Sequence, residues 1–146
     1  MRGQLLYLGW NAEPLSTIVW GPRCYVVPRL DGTVLVGATV EEAGFDERAT
    51  AGGVNDLLDA VCELLPAARD ATLLGVRVGL RPATPDGLPV IGPDPDVPGL
   101  IHASGHYRNG VLLAPVTAKL IGDLIVEGQV DPLLAPFSAA RFRSSA

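Results

Sequence analysis

The chain has few of the residues that mark nucleic-acid binding, disulfide bonding or metal binding. Only one of its 11 basic residues is a lysine, and 16 acidic residues leave a formal charge of −5. Without a basic stripe, binding to a phosphate backbone is not expected. The two cysteines, Cys24 and Cys62, lie outside any C-x-x-C or Cys/His pattern. We therefore expect two buried, reduced thiols and no metal site.

Long apolar runs are also missing. Gly, Pro, Asn or Arg interrupts each charge-free stretch before about 18 apolar residues, so no membrane span is expected. The apolar run after Met1 is too short for a signal peptide, and these absences predict a cytoplasmic protein. With 48% apolar residues the chain is not disordered, and its 146 residues suffice for one domain or for parts of two.

Apolar alternation predicts short strands over much of the chain. They are expected near 4–10, 16–20, 23–29, 33–39, 73–82 and 99–104. Asp31-Gly32 predicts a hairpin between the third and fourth strands, because both residues tolerate positive φ. Pro28 lacks an N–H donor and should lie at an edge or a bulge. Residues 40–52 are expected to form a loop.

Helical periodicity predicts two helices. The apolar face of the first consists of Val54, Leu57, Leu58, Val61, Leu64 and Leu65. That of the second consists of Leu113, Thr117, Leu120, Ile121 and Leu124. We expect Pro66 to end the first helix, Pro115 to lie near the first turn of the second, and Gly128 to end it.

A proline-rich segment separates these elements. Six prolines between residues 82 and 98 argue against a helix or a central strand, so the segment is interpreted as an ordered crossover. The strand at 99–104, with the turn and helix after it, is typical of the last β–loop–α step of a larger α/β sheet. Such a strand is expected to have parallel neighbours.

The turn from Gly105 to Gly110 is the first candidate for chemistry. Backbone N–H groups converge at the start of the following helix and favour an anion or a polar cofactor edge, and glycines would let a planar ligand approach. An ordinary tight turn is the alternative. No Lys-Ser/Thr follows, and no G-x-G-x-x-G occurs anywhere in the chain.

Single side chains provide further candidates. Arg81 precedes a proline at a strand end, where its guanidinium could bind a carboxylate through two hydrogen bonds or form a surface ion pair. Arg77, on the same strand face, is interpreted as a structural partner. Tyr25 is either a half-buried core ring or a hydroxyl donor.

His102, Ser104 and His106 do not form the G-x-S-x-G elbow of serine hydrolases. We expect no acid to orient either histidine. Metal binding by the two histidines would need a helix, and the pattern here predicts a strand and a turn.

Four segments together resemble a known family. They are CYVVPR at 24–29, VGAT at 36–39, GLRPATPDGLP at 79–89 and GHYRNGVLLAP at 105–115. In these segments the chain resembles the C-terminal part of FAD-dependent glycine oxidases of thiamine biosynthesis, within the D-amino-acid oxidase and sarcosine oxidase group. The resemblance extends over essentially the whole chain.

The resemblance implies an α+β fragment. Residues 1–84 would form the C-terminal part of a substrate-binding domain with an antiparallel sheet. Residues 85–146 would supply the closing strand, loop and helix of a Rossmann-like FAD domain, whose N-terminal G-x-G-x-x-G half is absent here. We expect a missing N-terminal half or a partner chain, and a homo-oligomer.

The resemblance also implies roles for residues. Tyr25, Arg81 and Arg108 would bind the substrate, which would be glycine or another small amino acid such as sarcosine. FAD would contact His106, Tyr107, Arg108, Asn109, Gly110, Val111 and Leu112. No side-chain acid or base is required, because hydride passes from the substrate Cα to flavin N5.

Three functional hypotheses stay open. The first is part of a glycine oxidase, inactive without its N-terminal half, and the second is part of a sarcosine-type or other flavin amine dehydrogenase. The third is a non-catalytic binding module. The combination of Tyr25, Arg81 and Arg108 argues against the third, since a binding module needs no flavin-facing loop.

Overall fold

The structure, a computed structural model, describes residues 1–143. The chain divides into two compact units, Met1–Leu80 and Arg81–Ala146, called unit 1 and unit 2 below. This division lies close to the predicted domain boundary after residue 84. The assignment of the two parts to substrate-binding and FAD-binding domains stays a prediction.

Unit 1 is built on one antiparallel sheet. Its strands are β1 (Arg2–Gly9), β2 (Val19–Trp20), β3 (Tyr25–Pro28), β4 (Thr33–Gly37) and β5 (Thr72–Leu80), in the spatial order β2-β3-β4-β1-β5. The hairpin between β3 and β4 is confirmed, with Gly32 at a φ of 80°. Pro28 is the last residue of β3, and β2 pairs only with Tyr25 and Val26. The missing N–H of Pro28 therefore breaks no hydrogen bond between β2 and β3.

One helix covers one face of this sheet. Helix α1 (Ala51–Leu64) begins at Thr50, whose hydroxyl accepts a hydrogen bond from the Gly53 N–H, and a 3-10 helix starts at Pro66 as the helix ends. The buried core residues are Leu6, Leu8, Cys24, Val26, Val34, Val36, Leu57, Ala60, Val61 and Ala68. The predicted apolar face of α1 is confirmed. Cys24 is buried, whereas Cys62 is only half-buried.

Unit 2 contains a two-stranded antiparallel sheet and a long helix. Its elements are β6 (Val90–Pro93), β7 (Ile101–Ser104), α2 (Gly110–Glu127) and 3-10 helices at Tyr107–Asn109, Pro132–Phe137 and Ala139–Phe142. The sequence did not predict β6. The expected parallel neighbours of β7 are absent from the described residues, where β7 pairs only with β6 and antiparallel.

Strand β6 forms because prolines flank it instead of interrupting it. Pro89 precedes the strand and Pro93 ends it, so the apolar pair between them keeps its N–H donors. Ile91 is buried, as are Leu124 of α2 and Leu134 of the following 3-10 helix, and both helices contact β6. Proline content alone was therefore a poor guide to this segment.

Helix α2 presents its predicted stripe to unit 2. Thr117 and Leu124 are buried, the other predicted stripe residues are half-buried, and Gly128 ends the helix with a φ of 72°. The prediction for Pro115 was wrong: the helix starts at Gly110, so Pro115 is its sixth residue and lies inside it.

The helix that contains Pro115 is also long and apolar. Residues Tyr107–Glu127 form a helical stretch of 21 residues with a mean hydropathy of 1.5, long and apolar enough to cross a membrane by these two criteria alone. Pro115 and Gly122 lie within this helix and do not end it. Helices of soluble proteins meet the same criteria, and we assign no span.

Candidate active site

The residue that follows Arg81 is hydrogen-bonded to the turn at 105–110. The carbonyl oxygen of Pro82, the residue after Arg81, accepts a hydrogen bond of 2.9 Å from the Tyr107 N–H. Arg81 is half-buried at the point where β5 ends. The segment that carries the predicted guanidinium is therefore next to the predicted cofactor turn.

The turn is tight for reasons internal to the chain. Gly105 is buried with a φ of 79°, and a Cβ added there would lie 2.9 Å from Thr84 Cγ2 and 3.3 Å from Pro89 Cα. Tyr107 has a φ of 51°, a left-handed conformation that is uncommon for a residue other than glycine. Packing against the 82–89 segment thus accounts for Gly105 without any ligand.

The start of α2 is exposed to solvent. No side chain caps this helix, and its first turn contains no acidic residue. Val111 and Leu112 are 94% and 78% exposed. His106 points back into unit 2, with its Nε2 3.0 Å from Thr117 Oγ1. The exposed helix start can therefore receive an electronegative group.

Arg141 fixes the loop that begins at Arg81. Its guanidinium donates two hydrogen bonds to Asp86, at 2.6 and 3.2 Å, and one of 2.8 Å to the Leu88 carbonyl. The pKa of Asp86 lies well below its usual range, chiefly because of the hydrogen bonds from Arg141. Sequence reasoning missed this contact, which joins residues 55 positions apart.

Tyr25 lies on the sheet of unit 1. Residue 25 is directly opposite Trp20 on one neighbouring strand and opposite Gly37 on the other. The rings of Tyr25 and Trp20 are 5.2 Å apart between centroids. Alternation along β3 places Tyr25 on the face opposite to buried Val26, away from α1.

The histidines do not form a hydrolytic site, but one expectation about them was wrong. Asp94 Oδ2 lies 2.7 Å from His102 Nε2, so an acid does orient this ring. The other oxygen of Asp94 accepts hydrogen bonds from the Asp96 and Val97 N–H groups, and these interactions together lower the pKa of Asp94. The pair fastens the loop that joins β6 to β7.

Arg77 has the structural role that the sequence predicted, through an aromatic partner. Its guanidinium carbon lies 4.6 Å from the centroid of the Tyr7 ring, and that of Arg29 lies 5.8 Å from the same ring. Arg77 and Tyr7 lie on β5 and β1, which are neighbouring strands. Arg77 therefore contacts a neighbouring strand of the sheet and does not belong to the segment around Arg81.

Several findings relate this chain to known proteins. Residues 1–124 match the family described as FAD dependent oxidoreductase (DAO). The chain is 45% identical to the bifunctional protein ThiO/ThiG of Nostoc sp. (strain PCC 7120), over 99% of this chain and 23% of that protein. It is 44% identical to the glycine oxidase of Geobacillus kaustophilus, over 97% of this chain and 38% of that protein.

A solved structure agrees with these sequence relatives. The crystal structure of glycine oxidase from Geobacillus kaustophilus has a TM-score of 0.86 and 39% identity, covering 98% of this chain and 39% of that one. The chain therefore spans well under half the length of the relatives it matches.

Proposed function

This chain belongs to the FAD dependent oxidoreductase family, and we propose that it forms the C-terminal part of a glycine oxidase. The reaction would convert glycine, O2 and water into glyoxylate, ammonia and hydrogen peroxide, and this oxidation of glycine would supply thiamine biosynthesis in the cytoplasm. The two units would be the ends of a substrate-binding and a Rossmann-like FAD domain. Support comes from the glycine oxidase and ThiO/ThiG relatives.

One observation carries the proposal. The hydrogen bond from the Tyr107 N–H to the Pro82 carbonyl couples the strand end that bears Arg81 to the turn at 105–110. A carboxylate held by Arg81 and a cofactor held by this turn would thus be fixed by adjacent backbone segments. Such fixed positioning is what a reaction without side-chain acid–base chemistry requires.

The residues present fit one edge of a flavin. The uncapped start of α2 offers backbone donors, and Gly110 carries no side chain to obstruct them. We propose that the segment from His106 to Leu112, including Tyr107, Arg108, Asn109 and Val111, holds FAD, with the helix dipole favouring negative charge at the ring edge. When bound, FAD supplies the acceptor for the hydride that leaves the substrate Cα.

The side chains of this chain would hold the amino acid. Arg81 would bind its carboxylate through two parallel hydrogen bonds, and the Tyr25 hydroxyl would donate a third. Arg108, exposed beside the start of α2, would add positive charge near the carboxylate. Each of these contacts is to the carboxylate and none needs a side chain on Cα, so glycine could make all of them.

The test is peroxide formation by the FAD-loaded holoenzyme that contains this chain, with glycine, sarcosine and D-alanine compared. We expect glycine to have the highest kcat/KM. In Arg81→Ala the KM for glycine should rise by the equivalent of about 2–4 kcal/mol, because the carboxylate loses a charged, bidentate partner.

Arg77→Ala is the matched control, because it removes an exposed arginine of β5, four residues before Arg81. Its KM should equal that of the wild type. A higher kcat/KM for sarcosine would replace glycine by a secondary amine as the substrate, and unchanged glycine kinetics in Arg81→Ala would remove the carboxylate assignment.

A further inference from the structure

The ring of Tyr25 occupies space that any side chain at position 37 would need. Tyr25 and Gly37 are direct partners on β3 and β4. A Cβ built on Gly37 would lie well under 3.0 Å from Cζ and Oη of Tyr25 and 2.5 Å from Cδ2 of Leu5. The phenol therefore leans across the neighbouring strand, with its hydroxyl end above the Gly37 backbone.

The close contacts at Gly37 are not shared by every glycine of the sheet. Gly75, on β5 of the same sheet, has no atom within 4 Å of where its Cβ would be. Neither Gly37 nor Gly75 has a positive φ. The side chains of Tyr25 and Leu5 occupy the space beside Gly37, whereas no atom lies beside Gly75, so the absence of a side chain at 37 leaves room for the Tyr25 ring.

Trp20 restrains the same ring from the other neighbouring strand. It is the direct partner of Tyr25 on β2, and the two rings are 5.2 Å apart between centroids and tilted by 39°. Trp20 is nevertheless 70% exposed and is not part of the hydrophobic core. Its role in the structure is therefore mainly its contact with Tyr25. A tilted aromatic pair of this kind favours one ring placement.

We propose that Gly37 and Trp20 are positioning residues that set where the Tyr25 hydroxyl lies, and through it the binding of the substrate carboxylate. This inference rests on the proposed function, in which that hydroxyl donates to the carboxylate. A hydrogen bond weakens steeply with distance and angle. A ring pushed off Gly37 by one methyl group, or released by loss of the indole, would therefore lose much of its contribution.

The experiment measures glycine kinetics of the FAD-loaded holoenzyme. We compare Gly37→Ala, Trp20→Ala, Tyr25→Phe and the double variant Gly37→Ala/Tyr25→Phe. Tyr25→Phe and Gly37→Ala should each raise the KM for glycine roughly tenfold or more, with kcat much less affected, because each removes a hydrogen bond to a charged group. The double variant should be no worse than the worse single variant, since both act through the same hydroxyl.

Controls separate positioning from damage to the fold. Gly75→Ala adds the same methyl group to the sheet without touching Tyr25 and should keep wild-type kinetics. Trp20→Ala removes an exposed side chain and adds no atoms, so it tests the inference even if Gly37→Ala fails to fold. Its KM should rise by a smaller factor, and its flavin spectrum and thermal midpoint should match the wild type.

The inference is overturned if the effects of Gly37→Ala and Tyr25→Phe multiply, or if Trp20→Ala leaves KM unchanged. Failure of the proposed function looks different: glycine would not be oxidised, or Tyr25→Phe itself would have no effect. A crystal structure of the holoenzyme with Gly37→Ala then decides the positioning claim, which requires the Tyr25 hydroxyl to be displaced.

Discussion

Glu41 ties the loop after β4 to the first strand through buried polar side chains. It accepts hydrogen bonds from Arg2, at 2.5 and 3.2 Å, from Gln4 at 2.8 Å and from Thr39. Gln4 is fully buried and also bonds to Thr50, the residue that caps α1. The two-residue spacing of Arg2, Gln4 and Leu6 places all three on the core face of β1 and so indicates buried polar side chains. It does not identify their partner.

These contacts make stability depend on pH. The pKa of Glu41 is lowered from 4.5 to about 2, first by the hydrogen bonds from Arg2 and then by those from Thr39 and Gln4. A carboxyl group whose pKa is lowered by folding stabilises the folded state when ionised. This contribution is complete above pH 4.5 and is lost as the pH falls towards 2.

We predict that Glu41→Gln lowers the free energy of unfolding at pH 7 by about 1–3 kcal/mol, because Arg2 loses a charged partner. The difference from the wild type should shrink as the pH falls from 4.5 towards 2, because the unfolded chain takes up a proton at this carboxyl group while the folded chain does not. Urea unfolding of the chain at several pH values measures both effects. Glu42→Gln, next to it and exposed, should show neither, and a pH-independent Glu41→Gln difference would contradict the ion-pair explanation.

At the scale of elements, the strand-to-helix turn of unit 2 is held by backbone conformation. Gly105 combines a positive φ with close neighbours on the 82–89 segment, whereas Gly122 in α2 has neither. Both are single glycines in the same unit, and only one of them is required by its surroundings. The two positions therefore give opposite expectations for alanine.

Gly105→Ala should lower the free energy of unfolding by about 1–3 kcal/mol, since a Cβ would be strained and would meet Thr84 and Pro89. Gly122→Ala should raise it by about 0.5–1 kcal/mol, because alanine is the better helix former. Urea unfolding followed by circular dichroism at 222 nm compares the two variants. Equal effects would mean that the turn geometry does not constrain residue 105.

At the scale of the whole molecule, α2 carries much exposed apolar surface. The side chains of Val111, Leu112, Ile125 and Val126 are all more than 60% exposed. Exposed apolar surface of this extent is typical of a face that meets other protein. The relatives are longer than this chain, and no G-x-G-x-x-G for the FAD pyrophosphate occurs in its sequence.

We predict that this chain, purified alone, is colourless. In the proposed arrangement the backbone donors of α2 would meet only one edge of a flavin, and such a contact would be too small to retain FAD during purification. Joined to the part of the Geobacillus kaustophilus glycine oxidase that it does not match, it should give a yellow protein with a flavin spectrum. The absorbance between 350 and 500 nm measures the bound flavin, and the joined protein should hold on the order of one flavin per chain. Flavin retained by the isolated chain would contradict the prediction.

Local rules sufficed for much of the fold. The hairpin at Asp31-Gly32, the buried stripe of α1 and the end of α2 at Gly128 follow from turn chemistry and helical periodicity, which act over a few residues. The motifs around Arg81 and the 105–110 turn sufficed to identify the family. The roles of Tyr25, Arg81 and Arg108 stay predictions.

Contacts between distant residues were decided by the tertiary structure alone. The antiparallel pairing of β6 with β7, the bonding of Glu41 to Arg2 and Gln4, and the close approach of Tyr25 to Gly37 all depend on which strands become neighbours and in which register. No local pattern specifies a neighbour or a register, because both are set when the apolar faces of separate segments are buried together.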